Sequence, residues 1–223
     1  MLAFSTKANT LHMLQSKLSY FKVLPQVSFT VEELQKYQGK IEKQILIEFG
    51  EQNLIVRSST VSEDTANNSM AGKFLTMMQV CAKGVLSAAR QVMDSFTDDN
   101  PDNQILVQPM LSDIIMSGVL FTVDPNTGGN YIIINYDETS GSTDSVTSGE
   151  GKNLSMCYIF HGKQSGDVRL NKLCLGALEC MKLFGQNNID IESAFTGDGT
   201  LYLLQARPLV LKADMIDFKL QSA

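Results

Sequence analysis

The chain has 223 residues, 43% of them apolar and 19% charged, which is enough to bury a core as one large domain or as two lobes. The formal net charge of −6 excludes an overall basic surface for nucleic acid. No apolar run is long enough to span a membrane and the first residues do not form a signal peptide, so we expect a cytoplasmic protein.

The first third of the chain predicts helices. Leu11, Leu14 and Leu18 recur at spacings of three and four residues, which predicts a helix over 5–18. The segment KVLPQVSFT is then expected to be extended, with a break at Pro25.

A capping box marks the start of the next helix. Thr30 is followed three residues later by Glu33, and a helix is predicted over 31–49. Its inner face is expected to consist of Leu34, Tyr37, Ile41, Ile45 and Leu46.

Strands and polar loops follow. NLIVRSS predicts a buried strand that runs into a loop over 60–73, rich in Ser, Asn and Thr. FLTMMQV predicts another strand, and a helix is predicted over 83–97 until DDNPDN ends it.

The remainder is rich in strands. Three are predicted from QILVQPML, SGVLFTVDP and NYIIINYDE, and after a second polar loop, TSGSTDSVTSGEGKN, come a strand (LSMCYIF), a helix over 170–184 and a hairpin over 188–210. This order predicts an α+β protein with a helix-rich lobe over 1–103, a strand-rich lobe over 104–211, a tail over 212–223 and a cleft between the lobes.

Cysteine and histidine patterns exclude further kinds of site. The four cysteines form no CxxC pair and have no ligand-type neighbours, so we expect free, mostly buried thiols and no zinc. Neither His12 nor His161 lies in a recognisable catalytic motif, and we expect both at the surface.

The hairpin carries four polar residues within otherwise apolar strands. Asp190 and Glu192 share one face by the period of two, as do Gln205 and Arg207, and the Gly-Asp-Gly turn is expected to set Glu192 opposite residue 204 or 205. Carboxylate and amide oxygens suit Mg²⁺, and the arginine suits phosphate. A salt bridge at a sheet edge explains the same spacing, and spacing alone leaves both interpretations open.

Three further segments have the residue types of a nucleotide site. Arg57 is followed by hydroxyl residues at 58–60, which is a plausible phosphate site. The segment over 67–73, NNSMAGK, has the small residues of a loop that covers phosphates, although it is no P-loop and such a sequence is more often a simple turn. Residues 108–110 have the character of an adenine slot whose backbone groups read the purine edge. Lys7, near a helix start, is by default a solvated charge.

Three ordered motifs together resemble one family. They are IVRSSTVSEDTANNSMAGKFLT, ILVQPMLSDIIMSGVLFTVDPNTG and DIESAFTGDGTLYLLQARPL, and they resemble corresponding stretches of phosphoenolpyruvate synthases and pyruvate phosphate dikinases. The order and the spacing agree over most of the chain from 55 to 209, and STKANTLHML and LPQVSFT match more weakly.

The resemblance implies an ATP-grasp domain that holds ATP and Mg²⁺ between two lobes. Matched motif by motif, Arg57, Arg207 and Lys7 are expected at the phosphates. Glu192 and Gln205 are expected to hold Mg²⁺, with Asp190 nearby. The remaining positions implied for the nucleotide are Ser69, Ala71, Gly72, Gln108, Met110 and Asp144.

The resemblance also implies a reaction. Members of the family pass the β-phosphate of ATP to a histidine on a separate swivelling domain, releasing AMP and phosphate, and that phosphohistidine then phosphorylates an acceptor. No matching histidine motif is present, and neither His12 nor His161 fits, so we expect an ATP-dependent phosphotransferase fragment or subunit that is incomplete alone. Its partners are then a phosphohistidine domain and an acceptor-binding domain.

Several departures bear on the acceptor. The family's GGK is STK here, its GLGE stretch becomes GSTD at 141–144, and its DIEW becomes DIES. These changes argue against a standard pyruvate enzyme. The chain more resembles bacterial L-glutamine kinases of capsule phosphoramidate synthesis. Pyruvate as acceptor, a non-catalytic ATP-sensing module and a β-rich adaptor without nucleotide remain the alternatives.

Overall fold

The computed structural model describes residues 1–60, 75–141 and 154–211. Four residues of the predicted nucleotide site, Ser69, Ala71, Gly72 and Asp144, lie outside these ranges, as does the predicted tail over 212–223. The helices of the described residues are α1 (Lys7–Leu14), α2 (Val31–Lys36), α3 (Gln38–Phe49), α4 (Val85–Asp94) and α5 (Val168–Phe184). None of these helices is both long enough and apolar enough to cross a membrane.

Ten strands are described. They are β1 (Lys22–Val23), β2 (Val27–Thr30), β3 (Leu54–Ser59), β4 (Thr76–Val80), β5 (Gln104–Pro109), β6 (Ile114–Phe121), β7 (Tyr131–Asp137), β8 (Ser155–Phe160), β9 (Ile189–Thr196) and β10 (Leu201–Pro208). The chain divides into two compact units. Unit 1 comprises Met1–Phe4, Met13–Val23 and Asp113–Ala223, and unit 2 comprises Ser5–His12 and Leu24–Ser112.

Unit 2 is built on a four-stranded sheet in the order β2-β5-β3-β4. Apolar side chains of this sheet and of α2, α3 and α4 form one core, since each helix buries one stripe. The division between the units falls at Ser112/Asp113, nine residues after the predicted boundary at 103/104. The reason is that β5 pairs with β2 and β3 and so belongs to this sheet.

The predicted helix over 31–49 is two helices. Its capping box is confirmed: the Thr30 hydroxyl oxygen accepts from the Glu33 amide at 3.1 Å, and the Glu33 carboxylate accepts from the Thr30 amide at 2.9 Å. Tyr37 then leaves the helical conformation, at φ −129° and ψ 35°. After this break α3 buries Ile41, Ile45 and Phe49, which follow one another at a spacing of four residues. The predicted inner residues Tyr37 and Leu46 are exposed.

The N-terminal helix is shorter than predicted. It covers Lys7–Leu14 rather than 5–18, and it buries Leu11 and Leu14 completely. Leu18 lies beyond its end.

Unit 1 contains a six-stranded sheet in the order β1-β10-β9-β6-β7-β8. Only β1 and β10 run parallel; the other neighbours are antiparallel. Helix α5 packs against β9. Its N-cap is Asp167, whose carboxylate accepts from the Arg169 amide. Its C-cap is Gly185, in the left-handed conformation.

The cysteines are free thiols, as predicted. Cys174 and Cys180 are buried in α5, Cys157 is half-buried, and Cys81 is exposed. Burial raises the pKa of Cys174 to about 11 and that of Cys180 to about 12.

Candidate functional site

The hairpin of β9 and β10 brings the predicted polar residues into two directly opposed pairs. Gln205 lies opposite Glu192, and Arg207 lies opposite Asp190. Opposed residues of antiparallel strands point to the same face, so all four side chains share one face of the sheet. The buried pair Ala206 and Ile191 points to the other face.

A bulge at Leu204 sets this register. Ahead of it Leu203 lies opposite Ser193, and after it Gln205 lies opposite Glu192, so Leu204 is an extra residue on β10 in this register. Regular pairing from the turn would place Leu204 opposite Glu192. The turn alone was expected to set the register; the structure shows that the turn and the bulge set it together.

The turn itself is closed by Asp198. Its carboxylate accepts from the Thr196 hydroxyl at 2.6 Å and from the Thr200 amide at 3.0 Å. Gly199 has a φ of 79°, where a side chain would be strained, so the glycine of the predicted Gly-Asp-Gly turn is required by backbone geometry.

Asp190 and Arg207 form a buried ion pair. The Arg207 Nε and Nη2 atoms lie 2.8 Å and 2.7 Å from Asp190 Oδ2. Asp190 Oδ1 is also buried and has no hydrogen-bond partner among the described residues. The expected salt bridge therefore exists, but Asp190 is not at a sheet edge, because β9 lies between β10 and β6.

The electrostatics of Asp190 favour an additional cation. The pKa of Asp190 is raised to about 6: burial is the largest cause, the positive charge of Arg207 opposes it, and the negative charge of Glu192 adds to it. Burial outweighs the arginine, so one guanidinium on one oxygen does not fully stabilise the carboxylate. The second oxygen, Oδ1, is the position at which a cation or a donor would add that stabilisation.

The oxygen-bearing groups at this place suit a hard cation. Asp190 and Glu192 supply carboxylates and Gln205 supplies an amide, which is the donor chemistry of Mg²⁺ with its remaining positions left to water or phosphate. Gln205 is buried and Glu192 is half-buried. Within the described ranges, no group of three or more His, Cys, Asp or Glu residues is placed to hold a metal.

Further polar residues on the same face were missed by the sequence prediction. Val119 of β6 lies opposite both Asn135 of β7 and Glu192 of β9, so Asn135 shares the face of Glu192. Asp137, two residues further along β7, lies opposite Ser117 and shares the same face. The Asp137 Oδ1 atom already accepts from the amide and the hydroxyl of Thr139 at 2.7 and 2.8 Å. The sequence signal for them was the spacing of two between Asn135 and Asp137 at the end of an isoleucine-rich strand, which places both side chains on one face.

Unit 2 brings a second group of predicted residues onto one sheet face. Arg57 lies opposite Leu106, and Gln108 lies opposite Ile55, so Arg57 and Gln108 share a face. Gln108 is 1% exposed, and its Nε2 atom is buried without a hydrogen-bond partner in the part of the chain that the structure describes. A buried amide donor of this kind is suited to a ligand acceptor.

Lys7 is buried rather than solvated. It is 4% exposed, and its Nζ atom lies 3.5 Å from the Ser58 carbonyl oxygen. The start of α1 is held against β3, because the Ala8 amide donates to the Ser59 hydroxyl oxygen at 2.8 Å. The default interpretation of Lys7 as a solvated charge was wrong.

Met110 follows β5, and its backbone N–H donates to the Asn53 carbonyl at 2.9 Å. That N–H is therefore engaged within unit 2, and the position of Met110 beside the adenine stays a prediction.

Comparison with solved structures identifies the class of fold. The chain is similar to D-alanyl-alanine synthetase A from Vibrio cholerae O1 biovar eltor (10% identity, TM-score 0.52, 91% of this chain and 55% of that chain). It is also similar to a D-alanine-D-alanine ligase from Helicobacter pylori (13%, 0.51, 92% and 54%) and to a RimK domain protein ATP-grasp from Sphaerobacter thermophilus (15%, 0.51, 98% and 62%). The fold is ATP-grasp, as predicted. The chain spans little more than half the length of the first of these structures.

The sequence then places the chain within that class. Residues 22–153, more than half of the chain, match the family described as pyruvate phosphate dikinase, AMP/ATP-binding domain. The chain belongs to this family and is an ATP-binding domain. No match was found among curated protein sequences.

Proposed function

We propose that this chain is the ATP- and Mg²⁺-binding domain of a dikinase-type phosphotransferase. The β-phosphoryl group of ATP is transferred to a histidine on a separate domain, and AMP and inorganic phosphate are released with the consumption of one water. The single observation that supports this most is the pairing of Glu192 with Gln205 and of Asp190 with Arg207 on one sheet face.

Each residue has a role that follows from its chemistry. Glu192 and Gln205 offer oxygen ligands to Mg²⁺, which when bound neutralises phosphate charge. Arg207 supplies a guanidinium whose orientation Asp190 fixes, since both contacts go to one carboxylate oxygen. Asp190 Oδ1 would be available to the same ion or to a water bound to it.

Unit 2 has cations and a donor of its own that suit a nucleotide. Arg57 and Lys7 are assigned to phosphate oxygens, and the unpartnered amide of Gln108 to an acceptor atom of the adenine. Lys7 is buried with its Nζ atom 3.5 Å from the carbonyl oxygen of Ser58, the residue that follows Arg57, and this placement supports a common role for the two cations.

The experiment compares two conservative variants. Glu192→Gln removes one charge at the site, and Glu48→Gln removes the same charge from an exposed position of α3. Isothermal titration with ATP and Mg²⁺ is expected to show at least tenfold weaker binding for Glu192→Gln and an unchanged affinity for Glu48→Gln. Equal affinities would show that the site has been assigned to the wrong residues.

The acceptor of the complete enzyme is proposed to be the amide of L-glutamine, with pyruvate as the alternative. This proposal is based on sequence departures such as Ser193 and Asp144. The test incubates a protein carrying this chain and its histidine domain with ATP and either acceptor, followed by phosphorus NMR. AMP formed with pyruvate but not with glutamine would exclude the glutamine proposal.

A non-catalytic ATP-sensing module is the other candidate. It differs in one measurable respect, because it binds ATP without phosphorylating a histidine domain supplied in trans. Radiolabel from ATP appearing on that domain would exclude it.

A further inference from the structure

The outer edge of β8 differs from the other sheet edges of the described residues. Edge strands expose unpaired backbone groups, and proteins normally protect them with charge, proline, bulges or shortness. Strand β1 is two residues long and carries Lys22, and β4 has an irregular register and Gln79 at a φ of 54°. Strand β2 has four residues and continues directly into α2.

Strand β8 has none of these protections. Its six residues, Ser155–Phe160, include no charge and no proline, and all six pair with β7 without a register shift. A long, regular and uncharged edge is a template for another strand.

The exposed face of β8 is apolar. Met156, Tyr158 and Phe160 are 59%, 56% and 42% exposed, and they alternate on one face of the strand. Tyr131 of β7 extends the stripe through an edge contact with the Phe160 ring. Ile159, on the other face, is buried.

We propose that the outer edge of β8 pairs with β8 of a second copy of this chain, antiparallel and centred on Tyr158. In that register Tyr158 lies opposite its own copy, and Met156 lies opposite Phe160 of the other copy, so exposed apolar residues meet on one face. A register shifted by one residue would place the exposed residues of one strand opposite the less exposed residues of the other.

Charge and topology both favour a copy of the same chain over a different strand. In antiparallel pairing of two identical strands, any charge on the strand would lie near the same charge of the other copy. Strand β8 carries no charge, so this repulsion does not arise. The opposite edge of the sheet, β1, is too short to continue the sheet, so pairing through β8 closes as a two-fold dimer rather than a fibre.

The dimer has a consequence for the site. A two-fold axis perpendicular to the sheet keeps equivalent faces on the same side, and the Met156–Phe160 stripe shares its face with Glu192 through Asn135 and Val119. The Asp190–Arg207 pairs of both copies then lie on one side of a twelve-stranded sheet, the sum of two six-stranded sheets.

Sedimentation velocity over a wide concentration range tests the proposal with the full chain. The parent is expected to shift reversibly from one chain of 24.6 kDa toward two as concentration rises. Tyr158→Lys places two like charges on the axis and is expected to weaken association at least tenfold. Ile47→Lys, a matched change at an exposed residue of α3, is expected to leave association unchanged.

A cross-linking experiment tests the register. Tyr158→Cys in a Cys81→Ser background is expected to form a disulfide-linked dimer with a mild copper oxidant, while Ile47→Cys in the same background is not. Circular dichroism confirms folding, and Met156→Lys replaces Tyr158→Lys if that variant fails to fold. A parent that stays monomeric at every concentration, or lysine variants that dimerise as the parent does, would overturn the proposal.

Discussion

Arg207 is the residue whose loss leaves a buried charge without its partner. Arg207→Ala is expected to lower the free energy of unfolding by about 3–5 kcal/mol, because Asp190 then remains buried and unpaired. Asp190→Asn in the same chain is expected to recover part of this loss. Urea unfolding measures both variants.

Arg169→Ala provides the comparison for Arg207→Ala. Arg169 contacts Glu138 and Asp167, but its side chain is 34% exposed, so its loss is expected to cost under about 1 kcal/mol. Equal losses at the two arginines would mean that the Asp190–Arg207 pair is not buried in solution.

The cysteines are predicted to differ in reactivity. Since the thiolate is the nucleophile, and burial raises the pKa of Cys174 to about 11 and of Cys180 to about 12, neither should react with iodoacetamide at pH 8 in the folded protein. Cys81 is exposed and should react. Mass spectrometry of the alkylated protein, with a denatured control in which all sites react, measures this.

The same two thiols determine how the free energy of unfolding changes at high pH. Their folded pKa values lie above the ordinary value of 9.0, so their contribution to stability is complete below about pH 9 and is lost as pH rises through 11 to 12. Labelling of Cys174 at neutral pH without denaturant would contradict the burial of α5 against its sheet.

At the scale of elements, α3 and α5 each contain a glycine with a different surrounding. A Cβ at Gly176 would lie 2.3 Å from the Phe21 ring, whereas a Cβ at Gly39 would meet nothing within 4 Å. Gly176→Ala is expected to destabilise the protein by about 1–3 kcal/mol through overpacking, because Phe21 is itself buried.

Gly39→Ala is expected to be neutral or to stabilise the protein by up to about 1 kcal/mol, since alanine favours helix. Thermal unfolding of the two variants gives the comparison. If Gly176→Ala is as stable as Gly39→Ala, then α5 does not pack on Phe21 as the structure has it.

Sequence periodicity predicted most strands but not the departures from regularity. The strands at NLIVRSS and LSMCYIF were found because apolar residues dominate them and turn residues bound them. The break at Tyr37 was not found, since the apolar spacing of 31–49 continues through it and one residue's φ and ψ leave no signature in the pattern. The sheet to which β5 belongs depends on pairing between distant segments, which local patterns do not contain.

For the site, too, the sequence predicted which residues share a face but not how they pair across the strands. Alternation placed Asp190 with Glu192 and Gln205 with Arg207, but the opposed pairs depend on the bulge, and an extra residue is visible only in the strand pairing. The burial of Lys7 depends on contacts of α1 with β3, which the sequence near Lys7 does not contain.

At the scale of the whole molecule, ligand binding should appear as stability. A ligand that binds only the folded state adds RT ln(1 + [L]/Kd), or about 2.7 kcal/mol at a hundredfold excess over Kd. ATP with Mg²⁺ is therefore expected to raise the melting temperature by several degrees. Scanning calorimetry with and without EDTA measures the shift.

Two controls separate the metal from the nucleotide. EDTA is expected to reverse most of the rise in melting temperature that ATP and Mg²⁺ produce. Mg²⁺ alone is expected to raise the melting temperature little, because phosphate oxygens would be needed to complete its coordination. A full ATP-induced increase in EDTA would show that nucleotide binding does not use the metal.

The bulge at Leu204 also bears on how the chain tolerates changes in length. Because Leu204 is the extra residue of the register shift, removing it would leave Leu203 opposite Ser193 and Gln205 opposite Glu192, with regular pairing in place of the bulge. An alignment gap of one residue just before the Gln-x-Arg-Pro segment is thus compatible with an intact site. A gap of one residue after Gln205 would instead move Arg207 out of line with Asp190.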